Sequence, residues 1–480
     1  MRDLSATPMR REVLSWGLAG DHHRLGCQLE FDPAGNLHSL TAGGEQLIGG
    51  LAVLGVRRDG ELHPWLPDTA RLEADEVEAR GRCAGLRLRV RHNLDFTWHL
   101  RITLTNDTER PVALDGLVLH AAPGRDALLL VTPAGPCTQL GWHRLAPSDG
   151  VECLGMRLSR GDLIRAGDEL RTPPLRLGPG EAYTLILHGD WYASSFELQQ
   201  RQPDWFPPLL DLTAADDELE LNDPDVALSW DSEDGPLREL TVAAAEGVTR
   251  LSVAFADEEA AYGRLVGAIQ RRGLIAHAAE ALALQRAELL QLISTDETTA
   301  LLAEYAERTP DPADTRQVLV WLRMAATTGE AALVERAAAV LAELPVQPGY
   351  ALAWLNLWVQ QQLLGIEPSL GEAQRRIAEW LAQPGQDPLI IRELAQLLGP
   401  EQQRQPTIRR GSRVADLLCL LRPAEAWPAY ADERLAQLVS IRALAEHEHT
   451  ALLNRLLARA EASPGPLDSA AVLGWLALRD

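Results

Sequence analysis

Thirteen tryptophans and twelve histidines carry much of the chemistry this 480-residue chain has to offer. An indole ring stacks on the apolar face of a sugar, and its N–H donates to a hydroxyl. Three stretches set such a ring beside a titratable group. His63-Pro64-Trp65-Leu66-Pro67-Asp68 reads as a loop, Trp142-His143 follows the Pro136-Cys137-Thr138 turn, and His188-Gly189-Asp190-Trp191-Tyr192 ends a strand. They nominate Trp65, Trp142, His143, Asp190 and Trp191 as substrate-binding residues. Core packing is the competing fate of every indole, and the favoured one for Trp354 and Trp358, four apart on one helix face.

Other chemistries are narrowed by what is absent from the sequence. All 45 basic residues are arginine, so no lysine Schiff base, P-loop lysine or kinase-type lysine exists. Proton transfer falls to Asp, Glu, His, Tyr or Cys. There is no G-x-S-x-G elbow and no G-x-G-x-x-G fingerprint. No metal site is expected. His22 and His23 point to opposite faces of a strand, and His447 and His449 stand about 200° apart around a helix. The H-E-x-x-H spacing is missing. The acidic stretch from Asp211 to Glu246 has Arg238 as its one basic residue. It reads as a solvated strand surface, with Ca²⁺ binding or contact with Arg409, Arg410 and Arg413 as alternatives. No cofactor is implied.

The net charge of −23 speaks against nucleic acid as a partner. The five cysteines form no C-x-x-C pair and suit reduced thiols. With no apolar run of membrane-spanning length and no secretory pattern at the start, a soluble cytoplasmic protein is expected.

The elements that would position these residues change character near residue 257. Before it, apolar and polar residues alternate, as in Leu86-Arg87-Leu88-Arg89-Val90-Arg91 and His99-Leu100-Arg101-Ile102-Thr103-Leu104-Thr105, between Gly, Pro, Asp and Asn turns. That is the period of half-buried antiparallel strands. After it, apolar residues recur at three and four, and Pro and Gly breakers cut the chain into about ten to twelve short helices. The expected organisation is an antiparallel β-sandwich over 1–202, a small β connector over 203–257, and an α-helical hairpin domain over 258–480. That domain is either a short closed toroid or an open solenoid.

Three stretches carry a family resemblance: Phe31-Asp32-Pro33-Ala34-Gly35-Asn36-Leu37-His38-Ser39-Leu40, Trp98-His99-Leu100-Arg101-Ile102-Thr103-Leu104-Thr105-Asn106-Asp107, and Leu175-Arg176-Leu177-Gly178-Pro179-Gly180-Glu181. On them the N-terminal part resembles the β-sandwich of galactose-mutarotase-like proteins. A sandwich of that kind also opens several glycoside hydrolases and phosphorylases, ahead of a connector and a helical domain. The resemblance implies a carbohydrate-binding or carbohydrate-active protein, with carboxylate chemistry of the glycoside hydrolase kind at the cleft between sandwich and helices. The helical part here is shorter than is usual in those enzymes, and no motif places a catalytic carboxylate. The alternative is a non-catalytic scaffold that docks a protein partner on its helical array.

Overall fold

The computed structural model describes residues 12–16, 27–32, 34–73, 75–94, 97–132, 135–146, 151–166, 169–194, 197–198, 201–202, 211–213, 226–231, 234–245, 247–308, 315–367, 370–419, 429–441 and 446–479. The chain divides into two compact units. One comprises Met1–Pro208, Leu221–Ser229 and Leu240–Leu251, and the other Leu209–Glu220, Trp230–Glu239 and Ser252–Asp480. The order is β then α, as the change of periodicity predicts. Residues 203–208, His22, His23 and, within the acidic stretch, residues 214–225, 232–233 and 246 lie outside the described residues.

The first unit holds two large sheets. One runs β1 (Glu12–Trp16), β2 (Cys27–Phe31), β3 (Leu37–Ala42), β4 (Glu45–Arg58), β11 (Gly116–Pro123), β16 (Glu169–Arg171) and β15 (Ile164–Ala166), with β5 (Glu61–Pro64) paired to β4. The other runs β12 (Ala127–Thr132), β13 (Gln139–Arg144), β14 (Cys153–Arg160), β18 (Ala182–Tyr192), β9 (Trp98–Thr105), β8 (Leu86–Leu94), β7 (Glu76–Cys83) and β6 (Leu66–Leu72). A small ribbon pairs β10 (Val112–Leu114) with β17 (Leu175–Leu177). A four-stranded sheet orders β19 (Asp211–Thr213), β22 (Gly247–Ala256), β21 (Leu237–Ala244) and β20 (Ala227–Trp230).

Alternation becomes burial here. In β8 and β9 every second residue is buried, and Leu88, Val90, Trp98, Leu100, Ile102 and Leu104 join one apolar core with Phe31, Leu40 and Val56 of the other sheet. One histidine is buried in that core. His92 accepts a hydrogen bond at Nδ1 from Trp98 Nε1 at 3.2 Å, and burial pushes its pKa down to about 3. Cys27, Cys83, Cys137 and Cys153 are buried thiols outside any disulfide, and burial pushes Cys27 up to about 12.

Thirteen α-helices occupy the second unit among the described residues, slightly more than the spacing of breakers suggests. They are α1 (Glu258–Arg272), α2 (Ala278–Leu289), α3 (Thr295–Arg308), α4 (Thr315–Thr328), α5 (Ala331–Glu343), α6 (Tyr350–Leu363) and α7 (Gly371–Leu381). Then come α8 (Pro388–Leu394), α9 (Pro400–Gln403), α10 (Pro406–Cys419), α11 (Ala429–Ser440), α12 (Glu446–Ala462) and α13 (Ala470–Leu476). The extra pieces start at prolines: Pro388 and Pro400 each occupy a first helical turn, where the missing N–H is harmless.

These helices close a ring. Helix α2 packs on α4, α4 on α6, α6 on α8, α8 on α11, α11 on α13, and α13 returns to α2. The inner members α2 and α4 are buried nearly all round, with Ala281, Leu282, Ala283 and Leu284 or Val318, Leu319, Val320 and Trp321 enclosed together. Outer α1 buries one stripe, Ala261, Tyr262, Leu265, Val266 and Ile269. The toroid alternative is therefore the one realised. Two contacts seal it: Tyr262 donates to Leu473 O at 2.8 Å, and Glu258 accepts from Arg286 and from Arg479 at 2.8 and 2.7 Å. At the hub, buried Glu393 of α8 accepts from Gly349 N and Ala351 N, 3.0 and 2.9 Å, at the start of α6, and from Gln437 of α11. Burial pushes this carboxyl up to about 7 against the pull of those N–H donors.

Two outcomes follow. Between the unfolded value of 6.5 and the folded value near 3 for His92, the unfolded chain binds the extra proton. Stability of the sheet unit then falls as pH drops through that window, by up to about 1.4 kcal/mol per pH unit from this residue. His92→Gln keeps an acceptor for Trp98 and flattens that acid loss in urea titrations run at several pH values. Glu393→Ala strands three buried donors and lowers the stability of the helical unit by about 3 kcal/mol, read as a lower melting temperature.

Candidate functional site

Strand β18 brings the chemistry together. Its alternation turns Leu185, Leu187 and Trp191 into the core and His188, Asp190 and Tyr192 to the opposite, outward face of the sheet. Pairing then sets neighbours beside them. Across β14 and β18, Cys153 faces Tyr192, Gly155 faces Asp190 and Arg157 faces His188. On the far side His188 faces His99 of β9, and β13 adds Gln139 beside Arg157 and His143 beside Cys153. Residues directly opposite share a face. The outward face therefore carries one row of Arg157, His188 and His99, with Asp190 in the next row.

The geometry is close. The His99 and His188 rings lie 4.3 Å apart, edge to face, and Thr97 Oγ1 stands 2.6 Å from His99 Nε2. Burial lowers the pKa of His188, and the nearby His99 and Arg157 charges lower it further. Arg157 donates to Arg201 O at 3.0 Å and bonds the Tyr192 hydroxyl, whose pKa burial raises. The half-buried Asp190 accepts from Trp191 N at 2.8 Å.

One end of this face is roofed. Leu198 is buried with Cys153 and Tyr192, and its carbonyl accepts from Gln139 Nε2 at 2.9 Å. The roof needs two glycines beneath it: a Cβ on Gly155 would meet Leu198 Cδ1 at 2.5 Å and Tyr192 Cε2 at 2.7 Å, and one on Gly141 would meet His143 Nε2 at 2.6 Å. Beside the other end opens a cavity of ≈ 460 Å³ lined by Thr138, Arg157, Ser159, Arg160, Arg201 and Gln202 among others.

The residues expected from sequence separate here. Asp190 lies on the outward face. Trp65, Trp142 and Trp191 lie in the sandwich core at 5%, 0% and 7% exposure, and Trp142 Nε1 donates to Ala122 O. These indoles pack, and none presents an open ring as a sugar platform. His143 is on the outward side but 3% exposed, on a strand buried on both faces. His99, His188 and Arg157 were not nominated by sequence. The two-residue spacing of His188, Asp190 and Tyr192 holds a signal for them; the partnership with His99 and Arg157 is set by strand order.

A second cavity, ≈ 470 Å³, sits inside the helical ring, with Arg323, Asn356, Gln396, Ser440 and Arg479 among its lining. Four of its polar groups are turned to protein partners: Asn356 to Leu352 O, Gln396 to Ile441 O, Ser440 to Gln437 O and Arg479 to Glu258. Among the described residues, no imidazole or carboxylate lines it. No group of three or more His, Cys, Asp or Glu suited to a metal ion occurs among the described residues. No helix among them is long and apolar enough to cross a membrane.

No protein-family model and no curated protein sequence matches this chain. Among solved structures, a polysaccharide lyase aligns over 91% of this chain and 93% of its own, with a TM-score of 0.63 and 12% identity. A galactose mutarotase-like protein from Lactobacillus casei ATCC 334 aligns over 38% of this chain and 100% of its own at 10% identity, with a TM-score of 0.25. A heparinase III aligns over 48% of this chain and 40% of its own at 7% identity, also at 0.25. The first shows a shared fold; scores of 0.25 carry no such weight. The sandwich-then-helices resemblance read from the sequence thus holds as a resemblance of fold.

The roof is directly testable. Gly155→Ala pushes Leu198 and Tyr192 off the sheet and costs about 1–3 kcal/mol, seen as a lower urea midpoint of the sheet unit.

Proposed function

We propose that this is a carbohydrate-active protein whose saccharide site is the outward face of the second sheet around Arg157, His188, His99 and Asp190. The observation that carries the reading is the row of Arg157, His188 and His99 with Asp190 adjacent, opening beside a cavity large enough for a sugar ring. The fold shared with a polysaccharide lyase supports the substrate class by analogy.

The chemistry available is general acid–base catalysis. His188, held below its ordinary value, is neutral near pH 7 and accepts a proton from a bound sugar. Arg157 stabilises negative charge that develops as the proton leaves. Asp190 accepts hydrogen bonds from sugar hydroxyls. This replaces the carboxylate pair of a glycoside hydrolase with an imidazole base. A second reading, the interaction scaffold, has one observation in its favour: Val359, Leu363, Leu364 and Ile366 are exposed at the end of α6.

The test is saccharide binding and turnover by the whole chain. Saccharides that occupy the site raise the melting temperature of the wild type, and His188→Ala and Asp190→Asn weaken binding or turnover at least about tenfold. Protonating His188 removes the base, so the acid limb of the rate profile falls below pH 6.5, and His188→Ala loses that limb. A wild type that responds to no saccharide, neutral or acidic, overturns the reading in favour of the scaffold.

A further inference from the structure

The cavity beside the row is distinctive in charge. Three of its lining residues, Arg157, Arg160 and Arg201, are cations, and among the described residues that line it none is acidic. Elsewhere in the same unit several arginines are paired: Arg57 with Glu169, Arg82 with Asp107, Arg91 with Glu76, and buried Arg144 with Glu45. Among the described residues, neither Arg157 nor Arg160 has a carboxylate partner. Arg157 is held by Arg201 O and the Tyr192 hydroxyl, while its buried Nε finds no hydrogen-bond partner. Arg201 has an exposed and long contact to Glu197, 3.4 Å, which solvent weakens. In a chain of net charge −23, leaving guanidiniums unpaired around a cavity runs against the general supply of carboxylates.

We propose that this cavity is an anion subsite, in which Arg157, Arg160 and Arg201 hold an anionic group, carboxylate or sulfate ester, of an acidic saccharide whose ring lies over His188 and Asp190. The inference rests on the saccharide reading above and adds the substrate class. Guanidinium forks match both planar carboxylate and sulfate oxygens, so the shared chemistry is the oxyanion. An anion bound here lies next to Arg157 and positions the sugar against the imidazole row.

Binding is measured by calorimetry on the full chain with three hexasaccharide probes: oligogalacturonate for carboxylate, sulfated dextran oligomer for sulfate, and maltohexaose as neutral control. The wild type is expected to bind one acidic probe at least about tenfold tighter than maltohexaose, and which acidic arm binds identifies the group. Arg160→Ala and Arg201→Ala, both at exposed positions, are expected to lose about tenfold for that probe while keeping the wild-type melting temperature and maltohexaose affinity. Equal binding of neutral and acidic probes overturns the anion subsite and leaves the saccharide site standing. An acidic preference that survives Arg160→Ala and Arg201→Ala together overturns it as well. Failure of all three probes, with no thermal response to any sugar, removes the saccharide reading and the subsite with it.

Discussion

The register of β18 is the constraint on which the site depends. Its inward residues, Leu185, Leu187 and Trp191, are locked into the sandwich core, each worth about 1.5–3 kcal/mol of burial. Because side chains alternate, a one-residue slip against β14 or β9 would turn His188 and Asp190 into that core and Trp191 out of it. The core therefore places the outward residues without needing their cooperation. This is why a buried-side apolar pattern can hold two imidazoles with rings 4.3 Å apart, an arrangement that would be repulsive with both rings protonated.

Charge is distributed by the same sheet. With arginine as the sole strong cation, every positive site is permanently charged and forked. On β7 and β8 those forks meet Glu76 and Glu78, and the outward surface there is neutralised strand by strand. On β14 they do not. The bulge between Leu158 and Arg160 breaks the register with β18 at the point where the cavity opens, and bulges re-aim the side chains near them.

The helical unit solves a different problem. Each inner helix of the ring ends in backbone groups that have no partner within that helix, and inside a packed ring neighbouring elements must supply one. Glu393 does this for the start of α6, and Glu258 bonds both Arg286 and Arg479, the latter 221 residues further along the chain. Several polar groups lining the cavity inside the ring, Asn356, Gln396, Ser440 and Arg479, are already bonded to protein partners. That makes the ring a packed body, and it leaves the sheet face as the place where titratable groups stand together.

Much of the architecture was legible in the residues. Period-2 alternation in Leu86–Arg91 and His99–Thr105, the shift to helical spacing past residue 257 and the proline breakers follow from local geometry that any chain obeys. The same local rule puts His188, Asp190 and Tyr192 on one face. It does not say which face is outward, and composition misleads about the tryptophans: Trp142 reads as a platform beside His143, yet pairing places β13 in the middle of covered strands and buries the indole completely. Which strand lies beside β18, whether the helices close or run on, and where unpaired arginines gather are decided by contacts between residues far apart in the chain. Those depend on how the sheets stack and how α13 meets α2, and no local pattern encodes them.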